Sequence, residues 1–443
     1  MAHFLTDGAE RLRRFLPMVL SYAASSGSLV TANAAQLVTF AILARFLGAD
    51  QFGVYVSFIA IASIAVHLCG LGANECLVRR VARDHAIYPT MLGHNLILIA
   101  ASGVILVVAG ILILPHWIEL SPDPSANRVI ILLMLITNIV LVRTISLTEQ
   151  IFIAHSQFSN ANKSVVGFAF ARTAAAALAC LVFGVSTVAQ WAVWQFAAHL
   201  LVALAYAWSL RKLGPPQYRI VREEIRLGIL FATPFIFRAI RQNADMLVLG
   251  IVATPEIVGS YGVVRRITDS SYMTIDALNR LVYPSLAVAS AGGIHNAIGR
   301  SKKILIAGFG IGVASAVAIF LLAPFLPLLF GQEYVSLVSF TRILCWVVIL
   351  VAIWSVATEV LGAAGHHAFR AAILNTGNAL GAVLIAYATW LAPPQGTFVS
   401  IYVIEGGIVI ASWMVLTRLV RRSRKAADAK VDAKPGTTDN LKQ

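Results

Sequence analysis

Charged side chains are scarce in this chain of 443 residues, of which 12% are charged and 59% are hydrophobic. A soluble globular protein contains about 25% charged residues, so a soluble enzyme core of ordinary composition is excluded. A helix of about 20 apolar residues crosses the hydrocarbon layer of a bilayer, and this chain has room for about a dozen. The composition therefore predicts a polytopic membrane protein.

Cysteine pairs and the signatures of hydrolytic enzymes are missing as well. The four cysteines lie inside apolar runs and form no CxxC pair, which argues against a disulfide framework or a zinc site. No G-x-x-x-x-G-K-[ST], HExxH or GxSxG motif occurs. We therefore expect no catalytic activity and no cofactor. The N-terminus lacks a small-residue cleavage site, so we expect no removable signal peptide.

Basic residues outnumber acidic ones by 34 to 20, which gives a formal net charge of +14. They are dispersed between apolar runs and are not clustered with aromatic residues, so we expect no nucleic-acid partner. Retention of lysine and arginine in cytoplasmic loops of a membrane protein explains the excess better.

Twelve apolar runs are long enough to cross a bilayer. They lie near 17–45, 53–77, 92–114, 129–153, 164–183, 187–210, 225–252, 257–288, 303–329, 335–362, 368–391 and 398–419. With six runs in each half, the sequence predicts that the chain is divided into five consecutive segments. These are a cytoplasmic N-terminal segment (1–16), a first six-helix bundle (17–210), a cytoplasmic linker (211–224), a second six-helix bundle (225–420) and a disordered cytoplasmic tail (421–443).

The charges of the connecting loops predict the orientation. With a cytoplasmic N-terminus, the loops on the cytoplasmic side carry nearly all the basic residues, as the positive-inside rule requires. These residues are Arg79, Arg80, Arg83, Lys163, Arg211, Lys212, Arg219, Arg222, Arg226, Arg300, Lys302, Lys303 and Arg370. The opposite loops are mainly acidic, and the longest runs only from Pro115 to Arg128. Both termini are thus predicted to be cytoplasmic, and the absence of a large outer loop argues against a glycan polymerase or ligase.

An internal repeat relates the two halves. Asp50-Gln-Phe-Gly-Val-Tyr55 matches Glu256-Ile-Val-Gly-Ser-Tyr261, and Thr148-Glu149 matches Thr358-Glu359 at a similar offset. Together with the equal number of runs in each half, these matches predict a six-helix unit duplicated in the same orientation. Parallel repeats of this kind are typical of transporters whose two bundles rock about a central cavity.

Ionisable residues inside the predicted spans are candidates for function, because each costs about 2.5–3.5 kcal/mol on insertion scales. In the seventh span, Arg238, Arg241 and Asp245 share one helix face and follow Pro234, which permits a bend. The eighth span carries a stripe spaced by three or four residues: Arg265, Asp269, Tyr272, Asp276 and Arg280. With Arg266, these two spans hold five arginines and three aspartates, and a cavity lined by them would be cationic.

A purely structural explanation of the same charges stays open. Arg241–Asp245, Arg265–Asp269 and Asp276–Arg280 are spaced as neutralising i,i+4 pairs. Arg143 in the fourth span and Arg172 in the fifth add positive charge to the first half. The presence of Arg172 in a span is explained equally well by a structural role, in which its side chain packs against its neighbours or extends to the membrane interface.

Several motifs resemble those of the Wzx-like polysaccharide-transport flippases, which belong to the superfamily that also contains the MATE antiporters. The motifs are Leu43-Ala-Arg-Phe-Leu-Gly-Ala-Asp-Gln-Phe-Gly-Val-Tyr55, Gly70-Leu-Gly72, Leu77-Val-Arg79, Asp245 with Glu256-x-x-Gly-x-Tyr261, and Leu329-Phe-Gly-Gln-Glu-Tyr334. The resemblance extends from about Leu16 to Leu419.

The resemblance implies an all-α membrane protein with about twelve transmembrane helices in two six-helix bundles around a V-shaped central cavity. It implies the flipping of undecaprenyl-diphosphate-linked oligosaccharides across the bacterial inner membrane, for O-antigen, capsule or exopolysaccharide synthesis. A polysaccharide polymerase and a chain-length regulator are the implied protein partners, besides the membrane lipids.

A diphosphate headgroup is strongly anionic, and arginine offers it planar, charge-assisted hydrogen bonds. We therefore expect Arg143, Arg172, Arg238, Arg241, Arg265 and Arg280 to bind the diphosphate or glycan. Asp245, Asp269 and Asp276 are the expected sites for a coupling proton or sodium ion.

Two relatives and a different class of protein are alternatives. Lipid II flippases usually have fourteen spans and carry arginines in the first span, where this chain has polar or apolar residues around Asn33, Thr39 and Phe40. MATE-like antiporters of cationic drugs need carboxylates in an apolar pocket, and the neighbouring arginines oppose a cation here. A non-transporting scaffold of a glycan-assembly complex would use all these charges structurally.

Overall fold

The structure, a computed structural model, describes the backbone of residues 2–290 and 293–432 and the side chains of most residues between 27 and 425. Its α-helices are α1 (Ala2–Leu68), α2 (Ala73–Val81), α3 (Tyr88–Ile113), α4 (Pro124–Leu135), α5 (Val142–Ala154), α6 (Phe158–Ala177), α7 (Val188–Leu210), α8 (Arg222–Val252), α9 (Pro255–Ser290), α10 (Ile298–Leu322), α11 (Leu326–Phe330), α12 (Leu337–Leu344), α13 (Val347–Ala363), α14 (His367–Leu391) and α15 (Gln395–Asp432).

Ten of the twelve predicted spans correspond to one continuous helical stretch of the described structure. The span predicted at 53–77 is divided between the second part of α1 and α2, and the span predicted at 335–362 is divided between α12 and α13. The π-helical turn Ile136–Leu141 joins α4 to α5, and a second one, Leu178–Val182, extends α6. Nine helices of the described part are long and apolar enough to cross a membrane. Counting α1 as two crossings and adding α8 and α9, whose charges lower their hydropathy, gives the twelve predicted spans.

Helix α1 contains two predicted spans because its path changes direction at Gly48. The backbone of Gly48 has φ 74° and ψ 168°, a non-helical conformation with positive φ that a side chain would strain. Residues 2–47 therefore form one helical segment and residues 49–68 a second one.

The prediction of disorder from Arg421 onward is wrong as far as Asp432, because α15 continues to that residue. The segment is rich in alanine, lysine and arginine, which are strong helix formers. The remainder of the predicted tail, 433–443, lies outside the described residues.

The two halves of the chain meet at the end of the bundle that holds Asp50, Glu256 and Glu333, which we call the acidic end. The hydroxyl of Tyr334 donates to the carbonyl of Ala44 at 2.7 Å. Arg45 Nη1 donates to the carbonyl of Leu328 at 2.6 Å. In both hydrogen bonds a side chain of one half donates to a backbone carbonyl of the other half, so the bonds connect the two halves.

A continuous apolar core lies beside this contact and contains residues of both halves. The ring of Phe52 packs edge-on against Phe40 at 5.4 Å and against Tyr334 at 6.2 Å between ring centroids. Phe52 is fully buried. Because lipid tails are as apolar as these side chains, close packing rather than exclusion from water holds such helices together.

The duplicated motif lies at the crossing of α1 and α9, where each copy packs against the other. A Cβ atom on Gly53 would lie 1.9 Å from the carbonyl oxygen of Pro255. A Cβ atom on Gly259, the matching glycine of the second copy, would lie 2.6 Å from the carbonyl oxygen of Ala49. The two glycines therefore allow the backbones of the two halves to approach closely at the acidic end.

At the opposite end, which we call the basic end, the start of α8 is attached to the first half. The Glu224 carboxylate accepts from Arg79 Nη2 at 2.8 Å and forms an ion pair with Arg80 at 2.9 Å. Burial raises the pKa of the Glu224 carboxyl, but hydrogen bonds from Cys76 and Arg79 and the two positive charges outweigh burial, so this pKa lies below its ordinary value.

Replacement of Gly53 by alanine should destabilise the protein. The added methyl group would overlap the Pro255 carbonyl, and overpacking of this kind costs about 1–3 kcal/mol. We expect a lower thermal unfolding temperature for detergent-solubilised Gly53→Ala than for the wild type.

Gly310→Ala in α10 is the matched control, since a Cβ atom there would meet nothing within 4 Å. It should unfold at the wild-type temperature or slightly above. Equal unfolding temperatures for the two variants would contradict the close approach of α1 and α9.

Candidate functional site

A cavity of about 250 Å³ lies between the two halves. Its wall is formed by α1, the π-helical turn before α5, the start of α5, α6 and α7 of the first half and by α8 and α9 of the second half. The charged side chains of the wall are Arg172, Asp245, Arg265, Arg266 and Asp269, and its uncharged polar side chains include Gln36, Asn138, Gln195, His199, Gln242 and Asn243. Three arginines and two aspartates leave one net positive charge in a wall that is otherwise polar or apolar.

Asp245 of α8 is buried in the wall, and its carboxylate is fully engaged. Its Oδ2 accepts a hydrogen bond from the Tyr261 hydroxyl at 2.5 Å and lies 3.4 Å from Arg265 Nε. Its Oδ1 accepts from the backbone N–H of Met246 at 2.8 Å. Tyr261 is the tyrosine of the second repeat motif, so this motif also fixes a charged residue of the cavity.

Arg265 of α9 is shared by two carboxylates. Its Nη1 lies 3.3 Å from Asp269 Oδ1, besides the contact of its Nε with Asp245. The Arg265–Asp269 pair is one of the three i,i+4 pairs that the structural explanation predicted. Asp269 keeps 42% of its side chain exposed, whereas Asp245 keeps 1%.

Arg241 does not pair with Asp245, although the two are four residues apart on α8. Its guanidinium forms an ion pair with Glu405 of α15, and its Nη1 donates to Asn378 Oδ1 at 3.2 Å. Glu405 also accepts from Trp354 Nε1 at 2.7 Å. Arg241 thus belongs to a polar cluster between helices of the second half, beside the cavity but not in its described wall.

Arg172 and Arg266 form no ion pair with any described residue. The guanidinium carbon of Arg172 lies 5.5 Å from the centroid of the Phe168 ring, and that of Arg266 lies 5.5 Å from the centroid of the Phe40 ring. The Nε of Arg266 is buried without a hydrogen-bond partner. Cation–π contacts compensate only part of the charge of a guanidinium.

Three other predicted site residues are not part of the described cavity wall: Arg143, Arg238 and Asp276. Arg238 is exposed one turn from Gln242 on α8, toward the basic end, and has no ion-pair partner among the described residues. Arg143 Nη2 lies 3.8 Å from Glu75 Oε2 at the side of the bundle nearer the basic end. Asp276 is exposed on α9. Arg280 lies on the same helix, but its side chain is outside the described part of the structure.

Sequence reasoning missed several residues of the wall. Arg266 was counted among the charges of the cavity but was not named as a substrate-binding residue, because the stripe through Arg265 and Asp269 was chosen on spacing alone. Gln195 and Asn138, which are joined by a hydrogen bond of 3.0 Å, come from two different helices. The helix face that includes Gly262, Arg266 and Asp269 is the signal that could have identified Arg266.

Comparison with known proteins identifies the family. A sequence model described as "Polysaccharide biosynthesis protein" matches residues 21–289. The chain belongs to this family. It is a Wzx-like polysaccharide-transport protein, as the motifs around Gly48, Gly53 and Gly259 indicated. No curated protein sequence matches the chain.

Solved structures of MATE transporters share the fold. An inward-facing multidrug resistance MATE family transporter of the MOP superfamily aligns with a TM-score of 0.72 at 15% identity, over 89% of this chain and 96% of that one. An outward-facing structure of such a transporter aligns with a TM-score of 0.59 at 16% identity, over 91% and 96%.

A MOP superfamily transporter from Pyrococcus furiosus, described as having a binding pocket of reverse polarity, aligns with a TM-score of 0.57 at 16% identity, over 92% of this chain and 96% of that one. These likenesses confirm the predicted fold class, an all-α, multi-pass membrane protein with two lobes of helices. We therefore call the halves lobes below.

Replacement of Glu405 by glutamine should destabilise the second lobe. It would leave the charge of Arg241 buried without its counter-charge, and breaking one partner of a buried pair costs about 3–5 kcal/mol. We expect a clear drop in the thermal unfolding temperature of the solubilised protein.

Glu119→Gln is the matched control, because Glu119 is exposed between α3 and α4. It should unfold at the wild-type temperature. If Glu405→Gln did so too, the Arg241–Glu405 pair would not be a structural element of the lobe.

Proposed function

We propose that the protein flips undecaprenyl-diphosphate-linked oligosaccharide repeat units from the cytoplasmic to the outer leaflet of the bacterial inner membrane, for O-antigen, capsule or exopolysaccharide synthesis. The observation that carries the proposal is the cationic cavity between the lobes, in a chain of the polysaccharide biosynthesis family. An enzyme of this pathway would need a catalytic group, whereas a flippase needs only a polar path through the bilayer.

The chemistry of the cavity supports a lipid diphosphate as the substrate. The diphosphate must leave the headgroup region, and arginine side chains replace part of its hydration with charge-assisted hydrogen bonds. The uncharged amides of Gln36, Asn138, Gln195, Gln242 and Asn243 suit the hydroxyl groups of a sugar. The lipid tail would stay in the bilayer while the headgroup crosses.

The orientation and the partners are part of the same proposal. The basic end would face the cytoplasm, in agreement with the positive-inside rule, and both termini would be cytoplasmic. The proposed protein partners are a polysaccharide polymerase, which would consume the flipped unit, and a chain-length regulator.

Alternating access would be coupled to a proton or a sodium ion. Asp245, Asp269 and Asp276 are the proposed coupling residues. Among the three, Asp269 both lines the cavity and has a substantially exposed carboxylate. Binding of a cation there would neutralise a negative charge beside Arg265 and Arg266.

A MATE-like antiporter of small molecules or drugs is the second candidate function. It is favoured by the likeness of the fold to MATE transporters over about nine tenths of the chain. The engagement of Asp245 by Arg265 and Tyr261 opposes this candidate, because a cationic drug would have to displace a charged neighbour.

Deletion of the gene should stop surface polysaccharide production and trap the lipid-linked oligosaccharide in the cytoplasmic leaflet. The leaflet is measured by labelling the sugars with a membrane-impermeant reagent in spheroplasts and in inside-out vesicles. We expect labelling mainly in the inside-out vesicles of the deletion strain.

Complementation with the wild-type gene is the control and should restore labelling of spheroplasts. Normal polymer with a normal leaflet distribution in the deletion strain would contradict flipping. New sensitivity of that strain to a cationic dye would then support the antiporter.

A further inference from the structure

Another cavity, of about 350 Å³, lies at the basic end of the second lobe. It is lined by the turn Ile294–Ala297, the start of α10, the last part of α15 and Val360 of α13. None of its lining residues belongs to the wall of the cavity between the lobes. We call this cavity the basic-end groove.

The walls of the basic-end groove are held in place by contacts within the second lobe. His295 Nδ1 lies within hydrogen-bond distance of Ser423 Oγ at 2.8 Å, which connects the turn before α10 to α15. Trp413 Nε1 donates to the carbonyl of Ile353 at 3.1 Å, which fixes the indole ring. Ile294 is buried. The groove is therefore a built feature of the lobe.

The groove changes from apolar to basic toward the end of the bundle. On α15, Trp413 lies two helical turns before Arg421, and on α10, Leu305 lies one turn after Lys302. The two apolar residues are thus nearer the membrane centre, whereas Lys302 and Arg421 are exposed at the end. Tryptophan is enriched at membrane–water interfaces, so the basic part of the groove lies at the level of the lipid headgroups.

No carboxylate compensates the positive charge of the groove. Residues 294–305 include three basic residues and residues 413–425 include five, and neither stretch contains an acidic residue. Lys302 and Arg421 form no ion pair with any described residue. Glu359, the neighbour of Val360 in the chain, is paired with Arg370 at 2.7 Å. An anion in the groove would therefore meet positive charge without a competing carboxylate.

Helix stability does not explain these charges. Lys302 lies near the start of α10, where the helix dipole disfavours a cation, and the first turn of α10 holds no acidic residue. The positive-inside rule explains on which side the basic residues lie, but not why two of them border an apolar groove. A ligand with an anionic head and an apolar chain satisfies both parts of the groove.

We propose that the basic-end groove binds an anionic phospholipid of the cytoplasmic leaflet. One acyl chain lies along the apolar part, and the phosphate group lies between Lys302 and Arg421. Both side chains form charge-assisted hydrogen bonds with phosphate, and basic pockets between membrane helices suit anionic headgroups. The leaflet rests on the proposed orientation, whereas the site is independent of what the protein transports. The bound lipid connects α10 to α15 and stabilises the second lobe.

The first test measures lipid binding to the purified full-length protein by native mass spectrometry. The probes are dioleoylphosphatidylglycerol, which is anionic, and dioleoylphosphatidylcholine, which has the same acyl chains and no net charge. We expect the first to bind about 10-fold more tightly, as a hydrogen bond to a charged group implies. Equal affinities would overturn the proposal, as would displacement of the lipid by glycerol 3-phosphate, which lacks acyl chains.

The double variant Lys302→Gln/Arg421→Gln should bind phosphatidylglycerol about 10- to 100-fold more weakly than the wild type. Lys163→Gln/Arg219→Gln is the matched control, because it removes one lysine and one arginine that are exposed at the basic end of the first half of the chain. It should keep wild-type affinity. Equal affinity of the two double variants would overturn the assignment of the site.

The double variant Lys302→Arg/Arg421→Lys guards against a folding defect. It keeps both positive charges and should bind phosphatidylglycerol more tightly than Lys302→Gln/Arg421→Gln does. The same weak affinity in both would overturn the role of charge at these positions.

Replacement of Val420 by tryptophan tests the place of the acyl chain. The larger side chain would fill part of the groove without changing its charge, so phosphatidylglycerol should bind several-fold more weakly. Val399→Trp is the control, since Val399 is 63% exposed near the opposite end of the same helix. Equal affinity of these two variants would overturn the acyl-chain position.

The second test measures thermal unfolding in nanodiscs of phosphatidylcholine alone and of phosphatidylcholine mixed with phosphatidylglycerol. A ligand that binds only the folded state raises the unfolding temperature by mass action. The wild type and Lys163→Gln/Arg219→Gln should therefore unfold at a higher temperature in the mixture, and Lys302→Gln/Arg421→Gln should lose this increment. The same increment in all three proteins would overturn a stabilising lipid in the groove.

Discussion

A charge inside a bilayer must be paired, hydrated or given a ligand, because its transfer from water is costly. Two partly buried arginines of the described helices satisfy this constraint through a carboxylate of another helix. Arg241 meets Glu405, and Arg265 meets Asp245. The helices that hold these pairs are thereby fixed relative to one another. Arg172 and Arg266 meet no such carboxylate, and they lie where the two lobes face each other.

The two lobes contact each other at both ends of the bundle. At the acidic end, glycine backbones and the Tyr334 hydroxyl bring α1, α9 and the segment before α12 into close contact. At the basic end, the Glu224 ion pairs hold the start of α8 against the first lobe. The cavity lies between these two regions.

The spans were predictable because each apolar run must satisfy its own backbone hydrogen bonds within the bilayer, and a helix is the structure that does so. The charged stripe of α9 was also predictable, since Arg265 and Asp269 are neighbours on one helix. The partner of Arg241 was not, because Glu405 is separated from it by 164 residues and helical spacing favoured Asp245. Spacing within one helix determines which residues share a face, but the packing of other helices determines which of them pair.

The reciprocal contact of the repeat motifs has a consequence for the origin of the fold. Gly53 meets the residues before Gly259, and Gly259 meets those before Gly53, which is the pattern of an isologous interface between identical subunits. Six crossings per unit return the chain to its starting side, so two separate copies would lie parallel in the membrane. A half-length ancestor with a single motif would already have carried both surfaces of this contact and could have assembled as a twofold-symmetric homodimer. Fusion of the two genes would then have freed the halves to diverge, so that Arg172 and Arg266 now occupy non-equivalent positions in the two lobes.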